Sequence, residues 1–124
     1  MSRLIKSSLL VALVGFAASA SALEILGAKV LGSGQQAVLE MDVTYGGGCK
    51  EHSFELQLQG CFETFPVKCE ANLVDLTVDD FCEALISKTV TFTLRELGLL
   101  DSYFERGSLK ISAPSGQPVT VRLP

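Results

Sequence analysis

The segment Tyr45-Gly46-Gly47-Gly48-Cys49-Lys50-Glu51-His52 gathers a thiol, an ammonium group, a carboxylate and the only histidine of the chain. Residues of these types support three chemistries. As a metal site, Cys49 and His52 would offer thiolate and imidazole, with Glu51 beside them and the acids Asp79 and Asp80 further along. A structural zinc needs four such ligands. As a nucleophile, Cys49 would need to be a thiolate with a base at hand, and no second histidine assists. As an anion nest, the glycine amides with Lys50 would cradle a phosphate or carboxylate, though no helix N-terminus follows. The plainer reading is architectural: the glycines take up positive φ, or let another segment approach, so that Cys49 reaches a partner cysteine.

Two further stretches bear chemistry-capable residues. "CFETFPVKC" (Cys61 to Cys69) would present Phe62 and Phe65 with Pro66 on a short loop, stiffened if its cysteines are bridged. Such a pre-organised aromatic loop loses little entropy on docking and is a candidate partner-binding loop. The competing expectation is that both phenylalanines fold back under the core. "TVDDFCEAL" sets Asp79, Asp80 and Glu83 close together, but without the D-x-D-x-D-G spacing of a calcium loop, and reads as a solvated acidic turn. Thr89, Thr91 and Thr93 form a hydroxyl row typical of a strand surface. No cofactor fingerprint and no acid/base pair with a supporting cleft is present, so no enzyme and no cofactor is expected.

The positions of these residues follow from the elements around them. Residues 1–22 read as a cleaved signal segment: Arg3 and Lys6, the apolar run Leu9 to Ala18, then Ala20-Ser21-Ala22 before a cut at Leu23. A cut after Ala18-Ser19-Ala20 is the alternative. The A-x-A pattern suggests bacterial export to the periplasm or beyond, and the apolar run is shorter than the ~20 residues of a membrane span. Residues 23–124 then form one domain. Without Arg3 and Lys6 it carries eight Lys and Arg against fourteen Asp and Glu, a balance of −6. That charge disfavours nucleic acid and anionic membrane surfaces as partners, leaving another protein or a cell-envelope component.

Past residue 22 the hydrophobic period is two. Ala37, Leu39, Met41, Val43 and Tyr45 share one face; so do Phe54, Leu56 and Leu58; Val67, Cys69, Ala71 and Leu73; Val90, Phe92 and Leu94; Leu109 and Ile111; and Val119, Val121 and Leu123. Such alternation specifies half-buried strands. A less regular first strand spans Leu23 to Leu31, interrupted by Gly27, and the one short helical candidate is "LGLLDSYFERG", capped by Asp101 and ended by Gly107 in the left-handed conformation. Seven strands joined by short turns predict an all-β, two-sheet antiparallel sandwich of immunoglobulin-like type, with a small closed β-barrel as the alternative.

Strand direction selects the cysteine pairing. A strand rising to Tyr45, a second descending to Cys61 and a third rising from Val67 place Cys49 and Cys82 at one end, Cys61 and Cys69 at the other. Seven or eight strand residues separate the ends by about 25 Å, whereas a disulfide tolerates Cα separations up to about 7 Å. The expected bridges are therefore Cys49–Cys82 and Cys61–Cys69, an even count that suits a small exported chain. Cys61 is out of phase with Phe54, Leu56 and Leu58, which calls for a β-bulge at Gly60.

"GGGCKEHSFEL", "FETFPVKC" and "DDFCEALIS", covering roughly Tyr45 to Leu94, together with "SYFERGSLKI", resemble a group of small exported bacterial proteins. The resemblance implies export and a matched first and last cysteine; it implies no activity and transfers no functional residue.

Overall fold

The computed structural model describes residues 22–124, so the expected signal segment lies outside the described residues up to residue 21. Seven strands follow one another: β1 (Glu24–Leu31), β2 (Val38–Gly47), β3 (Phe54–Phe62), β4 (Lys68–Asp75), β5 (Ala84–Thr93), β6 (Ser108–Ser112) and β7 (Val119–Arg122). They form two sheets, in the orders β1-β2-β5 and β3-β4-β6-β7. The sheets pack face to face as a two-sheet sandwich and do not close, which sets aside the barrel alternative.

The period-two faces meet between the sheets. Leu39, Met41 and Val43 of β2 lie in one buried core with Cys69, Ala71 and Leu73 of β4, Leu109 and Ile111 of β6, and Val121 of β7. β2, β4 and β6 bury alternate residues because the pleat points successive side chains to opposite faces. β3 buries only Leu56, and Leu58, expected on the same inward face, is exposed next to the register shift before Gly60. The antiparallel expectation needs one correction: β4 and β6 pair in parallel, from Lys68↔Ser108 to Asn72↔Ser112, while the other four pairs are antiparallel. The chain leaves β4 at one end, runs back down β5 in the opposite sheet, and re-enters beside β4 in the same direction. Strands one, two and five oppose three, six and seven as in immunoglobulin-like sandwiches, but β4 departs from that order, lying between β3 and β6 and not in the sheet of β5.

A second correction concerns the helical candidate. Only a single 3-10 turn forms, Ser102–Phe104; Asp101 caps it as expected, accepting from the Tyr103 amide at 2.8 Å. The left-handed residue is Arg106 (φ 61°), not Gly107.

The two sides of the sandwich differ. Along one, β1 approaches β7, and the Ser115 amide donates to the Leu23 carbonyl at 3.1 Å. Along the other, β3 and β5 are the free sheet edges. The inward face of β5 carries Lys88 in the row of Ile86 and Val90, its ammonium 5.7 Å from the centre of the Phe54 ring. An inward-pointing charge on an edge strand obstructs pairing with further strands.

The disulfides are Cys49–Cys82 and Cys61–Cys69, with Cα separations of 5.7 and 4.0 Å, and no described cysteine is free. They close loops worth about 3.8 and 2.6 kcal/mol in the chain-entropy account. Cys61 sits directly opposite Cys69 because the register shifts between Leu58 and Gly60, the bulge its phase requires. Gly60 takes φ 152° there, with open space where a Cβ would stand. Gly60→Ala is therefore expected to cost about 1 kcal/mol from backbone conformation alone. A urea midpoint equal to or above that of the parent protein would contradict this origin of the bulge.

Candidate functional site

The upper end of the sandwich is built from two loops, residues 48–53 between β2 and β3 and residues 76–83 between β4 and β5. They are zipped together: the Leu76 amide donates to the Ser53 carbonyl (2.8 Å), the Ser53 amide to the Thr77 hydroxyl (3.0 Å), and the Lys50 ammonium to the Val78 carbonyl (2.8 Å). The Cys49–Cys82 bridge joins the same loops covalently.

At their junction stands the Asp80 carboxylate, with 3% of its side chain exposed. One oxygen accepts from the amides of Cys49 (3.2 Å) and Cys82 (3.3 Å). The other accepts from the amides of Gly48 and Lys50, each at 3.2 Å, and from His52 Nε2 at 2.6 Å. A nest does form at "GGGCK", from the amides of Gly48, Cys49 and Lys50 instead of the three glycines, and its anion is a side chain of the same protein. The expectation of a solvated acidic turn fails for Asp80, because three successive amides turned one way demand an anion and Asp80 reaches them first.

Gly47 makes the approach possible. A Cβ there would lie 2.7 Å from the Asp80 carboxylate and 2.8 Å from His52 Nε2. Gly48, at φ 117°, then turns the chain so that its amide and the two that follow face the same oxygens.

His52 is buried between two acids, with Nε2 on Asp80 and Nδ1 on Asp75, each at 2.6 Å. The Tyr45 ring lies 4.5 Å from the imidazole, and the Lys88 ammonium bonds the His52 carbonyl (3.4 Å) and Glu51 (3.3 Å). Ionised carboxylates only accept, so both ring nitrogens must donate and His52 is an imidazolium. Burial, the largest single influence, pushes its pKa down; the hydrogen bonds to Asp80 and Asp75 and their negative charge together outweigh it and raise the pKa above 6.5. Asp80 moves the other way, from 3.8 to about 2, chiefly through the His52 hydrogen bond and, against some desolvation, through the Cys82, Cys49 and Lys50 amides.

Both ring nitrogens of His52 are engaged by carboxylates. A doubly donating imidazole has no lone pair for a metal and none to act as a base. Glu51 is exposed and paired with Lys88, and Asp79 is exposed in the left-handed conformation (φ 63°), so of the metal candidates only His52 and Asp80 come together. The Cys49 and Cys82 sulfurs and an Asp80 oxygen do lie within 4.8 Å of one another, but the sulfurs share a bond and the carboxylate is occupied. Sequence reasoning missed Asp75. The clue lies in the register: counting back from Cys61–Cys69 through one bulge sets Phe54 opposite Asp75, with His52 just beyond.

At the opposite end the Phe62–Pro66 loop turns outward. Phe62 is 57% exposed and Phe65 fully so, so neither folds back under the core. Phe65 and Pro66 line a cavity of about 320 Å³ with Thr64, Val67, Tyr103 and Arg106. A second exposed apolar group, Val78, Phe81 and Leu85, borders the upper loops and was not foreseen. No protein-family model, no curated protein and no solved structure matches this chain.

The paired shifts define a pH window. His52, with its pKa raised, contributes stability that is full below 6.5 and lost as pH rises through its folded value; Asp80, with its pKa lowered, contributes stability that is full above 3.8 and lost as pH falls through about 2. Melting temperature measured between about pH 3 and 9 is expected to peak from roughly pH 4 to 6.5. His52→Gln should lower that plateau and abolish the alkaline decline. An alkaline decline that persists unchanged in the variant would contradict the imidazolium bridge.

Proposed function

We propose that this protein is an exported, disulfide-stapled β-sandwich that works by binding, not by catalysis, and that its partner is a protein or other cell-envelope component met through the Phe62–Pro66 loop. The observation that carries this reading is the exposure of Phe62 and Phe65 on a loop closed at its base by Cys61–Cys69, beside a cavity. A large apolar ring held in water by a rigid frame gains from being covered, and the frame keeps the entropic cost of docking low.

Location in the periplasm or outside the cell is supported by the two disulfides, which persist in oxidising compartments. Among the described residues no helix is long and apolar enough to cross a membrane. A non-catalytic role is supported by His52, which has both nitrogens engaged, and by four cysteines held in disulfides. Metal handling is the weaker reading. It would draw on Cys49, Cys82 and Asp80 and would require the bridge between the first two to open.

A photo-crosslinking amino acid placed at position 65, in protein produced in its source cell, is expected to yield one discrete adduct. The same probe at Thr91, exposed on the other sheet, should yield none. Adding Phe62→Ser should remove the position-65 adduct while changing stability by less than about 0.5 kcal/mol. No adduct at position 65, or an equal one at Thr91, would contradict the assignment.

A further inference from the structure

The parallel β4–β6 pair produces a feature that no single segment of sequence displays. Phe62 lies opposite Lys68, Lys68 opposite Ser108, and Ser108 opposite Arg122, so these four side chains form one row across β3, β4, β6 and β7. The adjoining row, Cys61, Cys69, Leu109 and Val121, carries the buried Cys69, Leu109 and Val121, so the Lys68 row is the outward one. Lys68 and Arg122 are exposed on either side of the small Ser108. Strand spacing sets the two cations about 10 Å apart.

Lys68, Ser108, Arg122 and Arg106 line a cavity of about 310 Å³ floored by Pro66 and Val67. Pro66, Val67 and Arg106 also line the Phe65–Tyr103 cavity, so the two lie side by side across a shared wall. Arg106 is held in the left-handed conformation, its amide on the Pro124 carbonyl at 3.4 Å, so the turn that carries it is fixed by the end of β7.

The charge is out of keeping with the rest of the domain. Three of the eight basic residues between 22 and 124 converge here, in a stretch with fourteen acids. Among the described residues none of the three forms an ion pair, whereas Lys29 and Lys88 do. The one acid lining the two adjoining cavities is Glu105, on the aromatic side. It directs a negative group away from Tyr103 and towards Lys68 and Arg122.

We propose that these adjoining cavities bind an acidic peptide segment of the partner, a carboxylate seated over Ser108 between Lys68, Arg106 and Arg122, and a neighbouring apolar side chain against Phe65 and Tyr103. The proposal rests on the binding reading above and names the partner's chemistry. An extended polyanion suits the site less well, because an overall balance of −6 repels a long anionic surface while three local cations accept a short one.

The test uses two probes, a Gly-Glu-Phe-Glu-Gly peptide and its Gln-for-Glu counterpart, with inorganic phosphate as a third. Binding is followed by amide chemical-shift changes in the folded protein at low salt. The Glu peptide should shift the amides of Lys68, Arg106, Ser108 and Arg122, bind at least about tenfold more tightly than the Gln peptide, and weaken with added salt. Lys68→Gln with Arg122→Gln, both at exposed positions, should weaken it about tenfold without moving the melting temperature.

Equal binding of the two peptides, or no effect of the double variant, would overturn the proposal. Phosphate matching the Glu peptide would also overturn it, in favour of a small-anion site. These failures are distinct from failure of the binding reading: if the position-65 adduct persists in the Lys68→Gln, Arg122→Gln protein, the loop binds but the acidic partner is wrong.

Discussion

One carboxylate organises the upper half of this protein. Asp80 accepts from four backbone amides and one imidazole, groups contributed by both loops at that end. Without it, the amides of Gly48, Cys49 and Lys50 would point at nothing, and a buried imidazolium would keep only Asp75. Removing one partner from such a buried network costs more than forming the network contributes, since it strands donors out of water. The Cys49–Cys82 bridge, the absence of a side chain at Gly47 and the inward Lys88 all fit around this contact.

The two ends of the sandwich are thus put to opposite uses. At the upper end, polar groups are turned inward and satisfied by one another, so the residues that looked most chemical in sequence are structurally committed. At the lower end, the shorter-range Cys61–Cys69 disulfide holds aromatic side chains outward, and the β4–β6 parallel pairing assembles a cationic row beside them. Loops supported by a rigid scaffold commonly carry function, and the Phe62–Pro66 loop is the one proposed here to do so.

Much of the fold was legible because alternation and strand direction are local and additive. The inward sets of β2, β4, β6 and β7, both disulfides and the Gly60 bulge follow from a period of two and a limit on sulfur reach. The parallel pair did not follow, since alternation says which face a residue takes but not which strand lies beside it. Asp80 was misjudged for a related reason: an acid in a turn looks solvated until the amides facing it, thirty residues away in sequence, are known. Asp75 needed a register, and the Lys68–Arg122 row needed two, so neither could be read from spacing alone. Phe62 and Phe65 were ambiguous because an aromatic ring is equally suited to a core and to an interface.

His52 is the doubly protonated bridge between Asp75 and Asp80 on which the upper end depends. Nitrogen-detected NMR of the imidazole, followed through a pH titration of the folded protein, measures this directly. Both ring nitrogens should appear protonated, with slowly exchanging N–H signals, and the titration midpoint should lie above 6.5. A midpoint at or below that value, or one ring nitrogen without a proton at pH 6, would contradict the bridge and return His52 to the residues available for chemistry.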